Sequence, residues 1–349
     1  MRGRAAAENP PNRFERLSVE PLSTDLEHED SPHSVPTVFL RDTSRSILAK
    51  NESPDVPFDF SVNPYRGCEH GCIYCYARPS HEYLGFSAGL DFETRIMVKT
   101  DAPRLLDEAL SRRSWKPQVV ALSGNTDCYQ PVERTLSLTR GCLEIFLQHR
   151  NPVSVITKNS LVLRDADILG EMASMHLVHV TLSITTLDSE LVRVMEPRTA
   201  SPRKRLETLK NLARAGIPVG VNIAPVIPGL TDEEIPRILE AAAQHGATSA
   251  GFILLRLPGP VEGLFTHWLS NTLPHRAGKI LNRIRETRGG NLSDSRFGSR
   301  LRGEGKLSST IEQLFTLNAS RYHLDGMEPP LSTELFRRSV TNQIDMNLS

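Results

Sequence analysis

The chain has 349 residues, 39% of them apolar, which is enough for one large domain with a buried core and appendages. Lys plus Arg equals Asp plus Glu at 41 each, so no whole-molecule field points to nucleic acid or anionic lipid, and only local basic patches stay open. No apolar run approaches the ~18 residues of a membrane span, and the N-terminal stretch has no apolar segment of the signal-peptide kind, so no membrane partner is expected and the expected location is the cytoplasm.

Residues 1–54 are rich in Pro, Glu, Asp, Ser and Arg without helical or strand period. They read as an arm, flexible or draped over a domain, with Val38, Phe39 and Leu40 as an anchoring contact.

Residues 55–258 form the expected core domain. Short β-branched runs alternate there with longer segments of helical period. The runs are FDFSV (58–62), QVVALS (118–123), VSVIT (153–157), VHVTLSIT (178–185), PVGVNIA (218–224) and AGFILL (250–255). Between them lie APRLLDEALSRR, VERTLSLTRGCLEIFLQHR, DADILGEMASM, PRKRLETLKNLARAG and TDEEIPRILEAAAQHG. In the last, Thr231 and Glu234 make a capping-box pair, while Pro236 removes a backbone hydrogen bond unless the helix starts later.

Strand and helix in strict alternation imply a parallel α/β sheet, either doubly wound or a barrel. Six units argue against a complete eightfold barrel, so a partial (β/α)6 TIM-like barrel is the expected architecture. Residues 259–349 read as a mainly helical C-terminal extension, loosely held after 326. Its Arg283, Arg285, Arg288, Arg296, Arg300, Arg302 and Lys306 suit a phosphate-bearing substrate, or equally a solvated surface broken by Glu286, Asp294 and Glu304.

Three of five cysteines, Cys68, Cys72 and Cys75, lie within eight residues directly after the first strand. An odd count, so crowded, favours metal or redox chemistry over disulfides. Gaps of three and two residues let one loop wrap its sulfurs around an ion or cluster. Zinc would want a fourth ligand from His70, His81 or Cys128, in a zinc-stabilised nucleic-acid-binding protein without catalytic activity. A [4Fe-4S] cluster on three cysteines would instead leave one iron open to a small molecule.

The pattern C-x3-C-x2-C after a first strand, with an aromatic before the last Cys, resembles the radical S-adenosylmethionine (radical SAM) superfamily. NPYRGCEHGCIYCYAR together with LSGNTDCYQPVE is similar to its spore-photolyase-like branch, often labelled DNA repair photolyase, and to a group of bacterial proteins within it. The resemblance implies Cys68, Cys72 and Cys75 as ligands of a [4Fe-4S] cluster, S-adenosylmethionine (SAM) on the fourth iron, and Tyr74 packed near the adenine. It also implies reductive cleavage of SAM to a 5′-deoxyadenosyl radical, an electron donor such as flavodoxin or ferredoxin, and a nucleic-acid lesion among the candidate substrates.

Active sites of parallel α/β folds form at the carboxyl ends of the strands. The second strand delivers Gly124, Asn125, Thr126 and Asp127, where the resemblance implies binding of the methionyl amine, with Asp127 a candidate for the ammonium. Lys158, Asn159, Thr185, Thr186, Pro225 and Arg256 end later strands, and the resemblance offers Ser183 and Asn222 as contacts to ribose and carboxylate, with backbone near Ile223 to the adenine. Cys128 is a candidate hydrogen-atom donor or an inert core thiol, and Cys142 reads as core. In the insertion MEPRTASPRKR (195–205), Arg198 is placed to reach the site mouth, and Arg203, Lys204 and Arg205 read as a solvated helix start.

Overall fold

The computed structural model describes residues 3–14, 35–326 and 330–338. Its strands, in chain order, are β1 (Val38–Arg41), β2 (Leu48–Lys50), β3 (Phe60–Val62), β4 (Tyr65–Arg66), β5 (Arg95–Val98), β6 (Val120–Leu122), β7 (Val153–Thr157), β8 (Val178–Ser183), β9 (Val219–Val226) and β10 (Ser249–Leu254). All six expected runs are strands, now β3 and β6 to β10.

These six pair in parallel in the unbroken order β3-β6-β7-β8-β9-β10, with β2 antiparallel on the outer edge of β3. A strand order that never reverses has no switch point. Right-handed crossovers then put every connecting helix on one side, and the sheet curls into the wall of an incomplete barrel. This decides between the two architectures the alternation allowed.

The helices cover the wall through apolar stripes. Leu106 and Leu110, Leu143 and Phe146, Leu209 and Leu212, and Ile238 and Leu239 join Val120, Val155, Val180 and Val221 in one buried cluster. Each such side chain contributes about 1.5–3 kcal/mol on leaving water. The second expected helix breaks at Ser137, whose φ is +53°, into Glu133–Leu136 and Leu138–His149. The fifth starts at Ile235 with Pro236 in its first turn, where a missing N–H costs nothing. Its capping box does not form: Thr231 instead accepts the Ile227 amide at 2.9 Å, and Glu234 takes the Leu187 amide at 2.9 Å.

Strands missed in the sequence build a second, small sheet in the order β1-β5-β4. It anchors the arm, but through backbone pairing: Val38 and Phe39 remain about half exposed, at 49% and 48%. The described residues 3–14 are likewise strapped down. Ala6 is fully buried, and the Ala5 and Ala6 amides donate to Glu93 at 3.4 and 3.0 Å. Arg13 pairs with buried Glu82 at 2.6 Å, and Asn12 donates to the Glu82 and Phe86 carbonyls. Residues 3–14 and 35–54 thus lie against the rest of the chain, while 15–34 lie outside the described residues.

The extension supplies helices Pro260–Thr272, Pro274–Glu286, Ser299–Arg302 and Gly305–Arg321. Leu264, Phe265 and Trp268 share a buried cluster with Cys72, Ile73 and Tyr74, so the extension braces the cysteine loop directly. Residues 330–338 are held more firmly than expected after 326: the Ser332 and Arg337 amides donate to the His176 and His149 carbonyls, both at 2.8 Å.

Candidate active site

Beyond β3 the chain turns three times on cysteine carbonyls: Gly71 N–H to Cys68 O at 3.2 Å, Cys75 N–H to Cys72 O at 3.2 Å, and Arg78 N–H to Cys75 O at 3.3 Å. Three thiols, none in a disulfide, are thereby carried on one loop, Cys68 and Cys72 buried and Cys75 half-buried. Burial pushes all three thiols up in pKa, and Asp127 adds to this at Cys68. Only a positively charged partner would make three thiolates there stable.

Arg78, with no exposure, scaffolds the loop from beneath. It donates to the carbonyls of Cys72 (3.0 Å), Gly71 (3.2 Å), Ala88 (3.2 Å) and Gly89 (2.8 Å), and pairs with Glu93 at 2.5 Å. Glu93 thus joins loop, scaffold and N-terminal strap. Gly71 is the point of closest approach: its φ is +65°, and a Cβ there would stand 2.6 Å from Glu93 Oε2. Gly71→Ala is expected to cost roughly 1–3 kcal/mol and to lower iron uptake; an unchanged melting temperature would contradict this.

The second-strand turn is held from the first. Asn63 Oδ1 accepts the Asn125 and Thr126 amides at 2.8 and 3.2 Å, and Thr126 Oγ1 donates to Tyr65 O at 2.7 Å. Gly124 has no room for a side chain, since a Cβ would lie 2.8 Å from Ser61 Cβ, and its carbonyl accepts the Tyr76 hydroxyl at 2.7 Å.

Asp127 departs from the expected ammonium role. Oδ1 accepts Tyr129 N–H (2.9 Å) and Thr157 Oγ1 (2.7 Å), while Oδ2 accepts Lys158 N–H (2.8 Å) and faces His70 Nδ1 (3.3 Å). Burial acts to raise its pKa, but His70 and these donors outweigh that and hold it low. With two donors on each oxygen, the carboxylate is a bracket that fixes β6, β7 and the cysteine loop together.

A buried charge cluster that sequence reading missed forms the floor. Glu196 accepts from Tyr74 Oη, from Thr185 Oγ1 at 2.7 Å and from Arg205, and lies 3.4 Å from Lys158 Nζ. Lys158 also donates to Ala224 O at 2.9 Å and sits 5.7 Å from the Tyr74 ring centroid. Arg205, read as solvated, is fully buried, with further donations to Ala200 O and Ser183 O; Arg203 and Lys204 are exposed as expected. A Glu followed by a run of cations in an insertion was the only available signal.

Ser183 and Asn222 stand opposite each other in the β8–β9 register. Asn222 Oδ1 is buried without a hydrogen-bond partner, and so is Nε of Arg256 just past β10. Burial and the nearby Arg300 charge lower the Arg256 pKa, so this cation is under-compensated at the mouth, 5.9 Å from the Tyr76 ring centroid. Arg198 turns away from the mouth toward the loop and arm, pairing with Glu69 at 3.1 Å.

Cys128 is fully buried in the main core with Cys142, so it takes the core reading and does not face the loop. His70 is spent on Asp127 and Asn159, and His81 packs between Phe86 and Phe92 with Nε2 on Arg95 O at 2.9 Å. His70 and Cys128 do not stand free to complete a four-ligand zinc site, whereas His81 keeps Nδ1 buried without a hydrogen-bond partner between the two rings. The basic stretch is largely spent internally: Arg288 on the Leu254, Leu255 and Ser299 carbonyls, Arg296 on Asp294 and Glu304, Arg300 on Asp55.

Residues 62–242 match the family model described as the Radical SAM superfamily. The chain belongs to that superfamily. An uncharacterised protein of Mycobacterium tuberculosis is 39% identical over 252 residues, 70% of this chain and 73% of the relative. One of Methanocaldococcus jannaschii is 31% identical over 175 residues, 50% and 63% of the two chains. A spore photoproduct lyase solved with dinucleoside spore photoproduct superposes with a TM-score of 0.59 at 15% identity, over 81% of this chain and 79% of that one. Another, with bound AdoMet as well, gives 0.59 at 15% identity over 82% and 79%.

Radical SAM proteins use a [4Fe-4S] cluster and SAM, and these are the cofactors here. The donor set fits: three free thiols on one loop, and an unpartnered amide oxygen, Asn222 Oδ1, on β9 opposite Ser183 at the end of β8. Such an enzyme needs a reductant and a substrate. Among the described residues no helix is long and apolar enough to cross a membrane.

Proposed function

We propose that this chain is a radical SAM enzyme whose [4Fe-4S] cluster is held by Cys68, Cys72 and Cys75, with SAM bound among the strand ends. The observation that carries this is the wrapped three-thiol loop, scaffolded by Arg78 and Glu93, at the carboxyl end of the first parallel strand. When bound, the cluster supplies the electron that cleaves SAM reductively to the 5′-deoxyadenosyl radical.

The chain's own residues position and enclose. Gly124 lets backbone approach closely, and the 124–126 turn, tied to Asn63, offers the Asn125 carbonyl to the methionyl amine, those of Gly124 and Thr126 already accepting from Tyr76 and Ser123. Asn222 and Ser183 meet ribose and carboxylate, Asn222 gaining the partner its Oδ1 lacks. Tyr74, its hydroxyl tied to Glu196 and Thr185, presents a fixed ring to the adenine. The buried Glu196 network excludes water from the floor.

The electron donor is a small flavodoxin- or ferredoxin-like protein, and the place of action is the cytoplasm, where free thiols persist. The substrate enters past Tyr76 and Arg256, whose unpartnered Nε favours an anionic substrate. The likeness in fold to the lyases makes a thymine lesion in nucleic acid the first substrate to test.

The test is anaerobic reconstitution with iron and sulfide, then dithionite and SAM. A reduced [4Fe-4S] signal by electron paramagnetic resonance and 5′-deoxyadenosine by chromatography are expected. Stoichiometric zinc with neither signal would sink the reading.

A further inference from the structure

Outside the chamber, where the β7 end faces the 197–204 loop, lies a cleft of about 550 Å³. Its lining includes Arg134, Arg198 and Lys204 with the hydroxyl residues Ser160, Thr199 and Ser201, and it contains no Asp or Glu. Cations and carboxylates are equal in number in this chain, so a concave cluster of one sign is not a by-product of composition.

Only one of the three cations is compensated. Arg198 lines the cleft, but its guanidinium is turned to Glu69 at 3.1 Å and to Thr37 Oγ1 at 3.3 Å. Among the described residues, Arg134 and Lys204 have no ion-pair partner. The 13-residue helix Pro202–Arg214 also begins at this wall, with Ser201 as its N-cap, and its amide end adds to the positive potential.

We propose that this cleft binds the phosphate group of a small phosphorylated molecule, at a site separate from the reaction chamber. A guanidinium fork such as that of Arg134 matches phosphate oxygens in geometry as well as in charge, and the helix start adds its dipole. The volume falls in the range of small-molecule pockets, roughly 300–1,000 Å³, and so favours a small ligand over a polymer track. None of Tyr74, Lys158, Ser183, Asn222 and Arg256 lines the cleft. Its wall nevertheless reaches the cysteine loop, because Asn159 Nδ2 lies 3.1 Å from His70 Nε2 and His70 is held against Asp127. The site is thus an accessory one, in contact with the back of the loop that carries the thiols.

The test titrates the reconstituted holoenzyme with inorganic pyrophosphate by calorimetry, at constant ionic strength set with chloride. Saturable binding at one site per chain is expected. Arg134→Gln and Lys204→Gln should each weaken it about tenfold or more, and the double variant should abolish it. Arg203→Gln, which removes an exposed cation paired with Glu207 outside the cleft, should leave the affinity unchanged. Formation of 5′-deoxyadenosine is measured on every variant and should persist, which separates failure of this site from failure of the enzyme reading. Absence of saturable binding, an adventitious salt effect shared equally by the double variant, or displacement of pyrophosphate by a far lower concentration of a single-stranded oligonucleotide would each overturn the assignment.

Discussion

Cys72→Ala is expected to lose its iron-sulfur absorbance and to form 5′-deoxyadenosine at no more than background rate. Two sulfurs on this loop cannot replace three, since His70 is held by Asp127 and Asn159, the His81 ring is fixed between Phe86 and Phe92 with Nε2 on Arg95 O, and Cys128 lies in the core. The substitution removes one sulfur from a packed position beside Ile73, Tyr74 and Trp268, so the fold should survive, with an intact circular dichroism spectrum. The informative control is Cys128→Ala. As a core thiol it should cost stability, on the order of 1 kcal/mol, and leave iron content and SAM cleavage intact. If Cys128→Ala lost iron or if Cys72→Ala kept it, the assignment of the three ligands would be wrong.

The second large effect is expected at Glu196. This carboxylate compensates both Arg205 and Lys158 in a floor where Glu196 and Arg205 have no exposure. Glu196→Gln keeps the shape and removes the charge, which strands two cations in a dry site, and breaking such a pair costs about 3–5 kcal/mol. Urea unfolding at neutral pH measures it. Burial by itself would raise the Glu196 pKa, but Arg205 and Lys158 outweigh burial and hold it below its ordinary value of 4.5.

A depressed carboxylate contributes stability that is present above its unfolded value and is lost as pH falls through its folded value. The stability gap between the native chain and Glu196→Gln should therefore be full above pH 4.5 and shrink progressively below it. A gap that stayed constant on acidification would show that the charge is not what holds this floor. Because Tyr74 and Thr185 hang from the same carboxylate, SAM affinity should fall together with stability.

The six parallel strands were legible because each is a short β-branched run bounded by turn residues, and strand propensity and helical period act over a few residues. The cysteine loop was legible for the same reason: Cys68, Cys72 and Cys75 are carried on one loop whose turns are closed by backbone bonds between near neighbours in sequence. The small sheet was not, since β1 pairs with β5, more than fifty residues away, through backbone groups that every residue possesses.

Charged residues show the limit most clearly. Arg203 and Arg205 lie two positions apart in one basic run, yet one is exposed and the other is buried against Glu196. Asp127, legible as a strand-end carboxylate, turned out to be saturated by four donors from three elements. The arginines of the extension looked free for a phosphate and are mostly spent on carbonyls and carboxylates of this chain. By itself, the sequence determined the alternation of elements, the incomplete count of units and the three-thiol loop, all of them local patterns. Only the tertiary structure decided which charges are desolvated and which are free, because the energy of a charge depends on the partners and the water around it, and those are set by residues distant in the chain.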